Sequence, residues 1–288
     1  MTPAAFITTS WDDGHPLDFR VAEMLARHDL PGTFYVPRSA DRETMSPARL
    51  RDLSATFEIG AHTLTHVNLN RATDPEAQGE IAGSKAWVED TTSRTCVMFC
   101  PPAGKYSRRH LQPIREAGFV GVRTVELVSL DAPRPEGDLL VMPTTVQAHP
   151  HGRLCFARNF ARRAARRNLR LYLLHGRSSD WVDLARSILF DVLERGGVFH
   201  LWGHSWEIEE AGQWHRLEEV FRFLGRFAGE VNALTNGGIC QAIRATGRAG
   251  NPPAMDDAGH PPARRPPGYR PSLGPTVMDE SASFFRQS

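Results

Sequence analysis

Residues 6–15 read Phe6-Ile7-Thr8-Thr9-Ser10-Trp11-Asp12-Asp13-Gly14-His15. A short β-branched segment runs into two adjacent carboxylates and a glycine, the pattern of a strand that ends in a turn. Adjacent side chains at a strand end diverge, so Asp12 and Asp13 need not share one task. One can hold a metal while the other stays free for proton transfer. Gly14 makes a positive φ accessible and lets the backbone turn sharply. Asp-Gly is by itself an ordinary turn signal, so the weight of this pair depends on what stands at the other strand ends.

Strand and helix signals alternate from there. Leu17 to His28 has helical periodicity with Val21, Met24 and Leu25 on one face. Thr33-Phe34-Tyr35-Val36 reads as a second buried strand. Ser46-Pro47 is an N-cap followed by proline at the first helical position. Phe57 to Ala61 is a third strand that delivers His62 at its end. Asp74-Pro75 opens a helix to about Glu89. Thr95 to Phe99 is a fourth strand, ending in Cys100-Pro101-Pro102-Ala103-Gly104. Ser107 caps the next helix, Gly118 ends it, and Val120-Gly121-Val122 follows as a strand. Leu139 to Pro143 is a further strand candidate. Arg153 to about Leu174 reads as one basic helix, and Trp181 to Arg195 as an amphipathic one. Val198 to Trp202 is a late strand, Gly203-His204-Ser205-Trp206-Glu207 a loop, Trp214 to Phe227 a helix and Val231 to Thr235 a last strand. This rhythm implies a parallel sheet with helices outside it.

The 288 residues suffice for one large α/β barrel or two small domains. With a formal charge of +1, there is no global field arguing for nucleic acid as a partner. No apolar run approaches the roughly 18 residues of a membrane span. The start has neither a basic n-region nor an apolar h-region. Cys96, Cys100, Cys155 and Cys240 show no framework spacing. Both points lead to the expectation of a cytoplasmic protein with reduced thiols. Eight of the 21 prolines fall between Pro252 and Pro275, among Gly, Ala, Asp and Arg. Few residues there can bury apolar area, so 248–288 is expected to be a disordered tail behind a domain of residues 1–247. Arg158, Arg162, Arg166 and Arg170 lie four apart, which suits either a solvated face or a surface for a phosphorylated substrate or for weak contact with an anionic membrane through the Arg158–Arg170 helix.

His62 and His66 stand i, i+4, which on a helical turn sets two imidazoles on one face, able to share a cation. With 12 histidines, chance alone supplies about half such a pair, and His200 with His204 is a second one. The strength lies in the conjunction. Asp12-Asp13, His62 with His66, Pro101-Pro102 and His204 all follow strands, and in a parallel barrel those strand ends meet on one face.

The ordered set Ser10-Trp11-Asp12-Asp13-Gly14, His62-Thr63-Leu64-Thr65-His66, Cys100-Pro101-Pro102-Ala103-Gly104 and Leu201-Trp202-Gly203-His204 resembles the NodB-type polysaccharide deacetylases, carbohydrate esterase family 4, over about residues 5–245. The resemblance implies an α/β fold, a distorted (β/α) barrel, with one divalent metal and hydrolysis of an N-acetyl group on a sugar, oligosaccharide or glycan precursor. It also implies Asp13, His62 and His66 as metal ligands, Asp12 as base and His204 as general acid. The backbone N–H of Ala103 is a candidate for the oxyanion and Trp206 for a sugar-stacking ring. Two imidazoles and one carboxylate suit zinc first, with cobalt, manganese or iron compatible.

This chain departs from the family pattern at the third motif. Where the family carries an arginine that pairs with the catalytic carboxylate, this chain has Cys100, and Arg123 at the next strand end is the candidate replacement. Cys100 is either a small buried hydrophobe or a fourth ligand. His200 is either a core histidine or a partner that orients His204. The altered motif also leaves room for a non-sugar amide or cyclic imide as substrate, and a catalytically silent carbohydrate-binding protein is the reading of another class.

Overall fold

The computed structural model describes residues 4–175 and 178–245, so the tail expected over 248–288 lies outside the described residues. In chain order the elements are β1 (Ala5–Asp12), α1 (Asp18–Arg27), β2 (Thr33–Val36), α2 (Pro47–Ser54), β3 (Glu58–Ala61), α3 (Asp74–Thr92), β4 (Met98–Phe99), α4 (Arg108–Glu116) and β5 (Gly121–Arg123). They continue with β6 (Arg134–Glu136), β7 (Leu139–Met142), β8 (Val146–Gln147), α5 (Arg153–Arg163), α6 (Arg166–Leu174), α7 (Trp181–Arg195), β9 (Gly197–Gly203), α8 (Ser205–Glu210), α9 (Trp214–Gly225), β10 (Asn232–Ala233) and α10 (Asn236–Ala245).

Eight strands run parallel in the order β7-β5-β4-β3-β2-β1-β9-β8. That is chain order around a barrel, with β9 returning beside β1. The ring is broken at one seam: β6 pairs antiparallel with the outer edge of β7, and among the described residues no ladder joins it to β8. β10 adds to the first half of β1. The expected distorted barrel is the observed fold. Since the ring strands are parallel, their C-terminal ends gather at one mouth.

The two-residue alternation of each strand splits the core in two. Ile7, Trp11, Phe34, Ile59, Phe99, Val122 and Phe199 point outward under the helices, where they meet residues such as Leu25, Ile81 and Phe221. The inward face is more polar. Thr8, Ser10, Asp12, Tyr35, Arg123 and His200 share the lumen with Met98, Leu140, Met142 and Val198. Helix α10 stops the lower end with Ile239, Cys240 and Ile243. At its first residue Asn236 accepts from the Tyr35 hydroxyl at 3.0 Å and donates to Thr8 Oγ1 at 3.0 Å.

Three expectations change. The segment 153–174 is two helices rather than one: Ala164 takes a left-handed conformation (φ 49), and the turn brings Tyr172 of α6 onto Phe156 of α5 with ring centroids 4.6 Å apart. Burying that aromatic cluster outweighs one more turn of helix. The 203–207 loop is one residue, His204, between the end of β9 and α8. Residues 62–66 are a loop rather than a helical turn, because Thr63 and His66 both take positive φ (59 and 58).

Gly60 lies on the inward face of β3, where an added Cβ would sit 2.4 Å from the Tyr35 ring and 3.2 Å from the Met98 carbonyl. Tyr35 is fully buried and tied to Asn236, so it cannot yield freely. Gly60→Ala is therefore expected to cost about 1–3 kcal/mol, a fall in Tm of several degrees in a thermal melt. An unchanged Tm would mean that the lumen is looser than described.

Candidate active site

The mouth is assembled from strand ends. Asp12, the last residue of β1, keeps the inward parity of Ser10 and points into the lumen. The chain then turns sharply: Asp13 has φ 78 and Gly14 φ 63. A Cβ on Gly14 would lie 2.5 Å from Val36, so space as well as conformation favours glycine there. The turn sends the two carboxylates to different partners.

Asp12 pairs with Arg123, whose Nη2 donates to Asp12 Oδ1. Arg123 is 0% exposed at the end of β5, and the rings of Trp202 and Tyr35 lie 4.7 and 5.1 Å from its guanidinium carbon. Burial alone would lower the Arg123 pKa; the charge of Asp12 outweighs it and raises it. The cation expected to replace the family's arginine at Cys100 does face the carboxylate. Cys100 itself has its Sγ 4.0 Å from Asp12 Oδ2, its thiol pushed well up by burial.

Asp13 faces the imidazoles, with Oδ1 3.4 Å from His62 Nε2 and 3.1 Å from His66 Nε2. Burial would raise the Asp13 pKa, but the bonds to His62 and His66 outweigh it and hold the carboxyl below its ordinary range. His62 Nδ1 lies 2.7 Å from the Cys100 carbonyl. The carbonyl accepts from Nδ1–H, which turns Nε2 toward the Asp13 carboxylate, the orientation that a metal-ligating imidazole takes. Donors on a tetrahedral ion with bonds of about 2.0–2.1 Å stand about 3.3–3.4 Å apart, so Asp13, His62 and His66 fit a divalent metal. They converge within 4.8 Å of one another.

Two residues missed in the sequence hold this geometry. Glu80 of α3 accepts from the Leu64 and Thr65 backbone N–H groups, both at 2.8 Å, and from the Thr65 hydroxyl at 2.7 Å. It thereby pins the left-handed loop that carries His66. Glu207, in the first turn of α8, has Oε2 2.6 Å from His204 Nδ1, and Gln147 of β8 donates to the same oxygen at 3.0 Å. His204 Nε2 lies 4.0 Å from Asp12 Oδ2 and 3.9 Å from Asp13 Oδ2. Burial would lower the His204 pKa, yet the Glu207 bond and the charges of Asp12, Glu207 and Asp13 lift it to about 9. The His-x-x-Glu spacing at a helix start was a usable signal, hidden by reading that segment as a loop.

The remaining expected residues are placed as follows. The indole of Trp206 donates to Asp13 Oδ2 at 2.9 Å, and Arg42 lies 3.6 Å above its ring. The ring is thus engaged on an edge and a face, and its visible role is to hold the Asp13 carboxylate. His200 lies one layer deeper. Its Nδ1 donates to the Pro143 carbonyl at 3.1 Å and its Nε2 accepts from Ser10 Oγ at 2.9 Å. Burial and the charge of Arg123 push its pKa down to about 3. It is the core histidine rather than a partner of His204. Ala103 follows β4 in a left-handed conformation (φ 51).

Residues 1–122 match the sequence model of the polysaccharide deacetylases. That first part of the chain thus carries the sequence pattern of the polysaccharide deacetylase family. Members are hydrolases of the N-acetyl amide bonds of carbohydrates. No curated protein matches the chain significantly. Among solved structures, a polysaccharide deacetylase from Mycobacterium smegmatis is similar at 17% identity and TM-score 0.63, covering 88% of this chain and 98% of its own. The chitin deacetylase of Colletotrichum lindemuthianum is similar at 13% identity and TM-score 0.53, over 83% and 88%. The peptidoglycan deacetylase PdaC of Bacillus subtilis is similar at 15% and 0.51, over 85% and 94%. At such identities the likeness is one of fold.

Arg123→Met strands a buried carboxylate at Asp12 and is expected to destabilise by about 3–5 kcal/mol. Adding Asp12→Asn should recover a large part of that loss in denaturant unfolding, since the stranded charge is then gone. Equal stabilities of the single and double variants would dissolve the pair.

Proposed function

We propose that the protein is a metal-dependent deacetylase that hydrolyses the N-acetyl group of an N-acetylated sugar, oligosaccharide or glycan precursor. One observation carries this reading: the adjacent carboxylates are divided, Asp12 to the Arg123 cation and Asp13 to two imidazoles, with His204 within 4.0 Å of both. A turn with no chemistry to perform has no need of that division.

Asp13, His62 and His66 would hold one divalent ion, zinc by the donor set. Such an ion supplies Lewis acidity toward an amide carbonyl and makes a water far more acidic than in bulk. Asp12, oriented by Arg123, accepts the proton of the attacking water. His204 donates a proton to the departing amine, which is a poor leaving group unprotonated. Glu207 keeps His204 in the donating form, and the N–H of Ala103 is the backbone candidate for the developing oxyanion. Trp206 fixes Asp13 through its indole. The reading includes a reducing, cytoplasmic setting, supported by the free thiols Cys96, Cys100, Cys155 and Cys240.

Metal content and acetate release from a panel of N-acetylated oligosaccharides test the reading together. Wild type is expected to hold about one ion and release acetate, His66→Ala to lose both, and Asp12→Asn to keep the ion and lose at least about 10²-fold in rate. Metal bound without acetate from any sugar would overturn the sugar assignment in favour of other amides or cyclic imides.

The pH profile gives a separate check. An acid works only while protonated, so activity should fall on the basic side as His204 gives up its proton. Glu207→Gln removes the charge that raises the His204 pKa, and the basic limb should move to lower pH. A limb that stays put would remove His204 from the acid role.

A further inference from the structure

We propose that the outward face of the α5–α6 pair is a docking surface for an anionic lipid bilayer. Residues 153–174 contain seven arginines and no acid. Arg153, Arg158, Arg162, Arg166 and Arg170 are exposed and form no ion pair with a described residue. Between them stand leucines. Leu154 is 72% exposed and Leu174 61%, with Leu169 and Leu173 also open, so four of the five large hydrophobics exposed among the described residues lie on this one helix pair. On α6 the positions opposite the buried Asn168 and Tyr172 are Arg166, Arg170, Leu173 and Leu174, and on α5 those opposite Phe156 and Phe160 are Leu154, Arg158 and Arg162. Each helix sends its aromatics inward and an arginine–leucine mixture outward.

That mixture selects the occupant. Single exposed leucines are ordinary, but four gathered on one helix pair make an apolar patch, which marks an interaction site. A second copy of this surface would bring arginines against arginines. Nucleic acid would take the guanidinium groups but offers the leucines nothing. A bilayer with acidic headgroups accommodates both, the arginines at the phosphates and the leucines at the acyl boundary. The surface also starts beside the mouth. α5 begins two residues after His151, whose Nε2 lies 2.8 Å from Gln147 Oε1, and Gln147 holds Glu207. A bilayer on this face therefore lies next to the strand end that positions the His204 pair. Among the described residues no helix is long and apolar enough to cross a membrane.

The test uses the full chain and vesicle flotation with phosphatidylcholine, with and without phosphatidylglycerol. Wild type should float with the acidic vesicles only, and less so at high salt. Each arginine near an acidic surface strengthens binding about fivefold, so Arg158→Gln/Arg162→Gln/Arg166→Gln should weaken it about 10²-fold. Leu154→Ser/Leu173→Ser/Leu174→Ser should weaken it about tenfold or more, with unchanged circular dichroism because these side chains support no core. The leucine variant separates a bilayer from a polyanion. If wild type binds an oligonucleotide as tightly as acidic vesicles and the leucine variant binds both like wild type, the partner is a polyanion and the proposal falls. It also falls if wild type does not float. Flotation requires no turnover, so this outcome is independent of the deacetylase reading, which acetate release from a soluble sugar judges in the same variants.

Discussion

The buried pair between Asp12 and Arg123 is the constraint on which the rest of this site depends. Two carboxylates that are neighbours in sequence stand at the mouth of a lumen from which water is largely excluded. Neither can remain charged there without compensation. Arg123 crosses from β5 to β1, four strands away in sheet order, and takes one of them. Only then is Asp13 left to the imidazoles of His62 and His66. The cost of burying a guanidinium is lowered by the aromatic faces of Tyr35 and Trp202 beside it, although its Nε finds no partner among the described residues. Burying such a pair is weak evidence for stability. It is better understood as fixing which carboxylate does which task.

Below the mouth the lumen changes character. His200 is tied to the Pro143 carbonyl and Ser10, and Asn236 reaches Thr8 and Tyr35 from the first residue of α10. His200 and His204 have the same sequence spacing as His62 and His66 and face the same side of the sheet, yet they differ in depth. His200 sits one layer down, beside the Arg123 charge and out of solvent, and is neutral. His204 sits at the rim against Glu207 and two aspartates and is cationic. The same residue type is thus a buried acceptor in one place and, in the proposed reaction, the proton donor in the other, with only Leu201, Trp202 and Gly203 between them.

The outer layer has its own asymmetry. Most helices bury one face on the sheet and present ordinary polar residues outward. α5 and α6 instead fold against each other through Phe156, Phe160 and Tyr172 and leave leucines in water among arginines. The break at Ala164 makes this arrangement. A single helix over 153–174 could not bring Tyr172 back to Phe156, and it would have spread the arginines along one long stripe instead of gathering them on a compact face.

The sequence by itself determined the strand–helix rhythm, the helix starts at Ser46-Pro47 and Trp181, the turn at Gly14 and the grouping of Asp12, Asp13, His62, His66 and His204 at one end of a parallel barrel. Those features are legible because they rest on local periods, caps and turn chemistry, and strand ends in a parallel sheet have no choice but to meet. Only the tertiary structure decided that Arg123 faces Asp12, that His200 is buried core, that Glu80 pins the His66 loop and that Glu207 with Gln147 holds His204. The first two rest on distances across the lumen, and the loop of His62 and His66 rests on left-handed backbone that a carboxylate from another helix stabilises. Periodicity fixes which face a side chain takes. How deep it lies, and which charge stands opposite, is settled only when the sheet has closed around it.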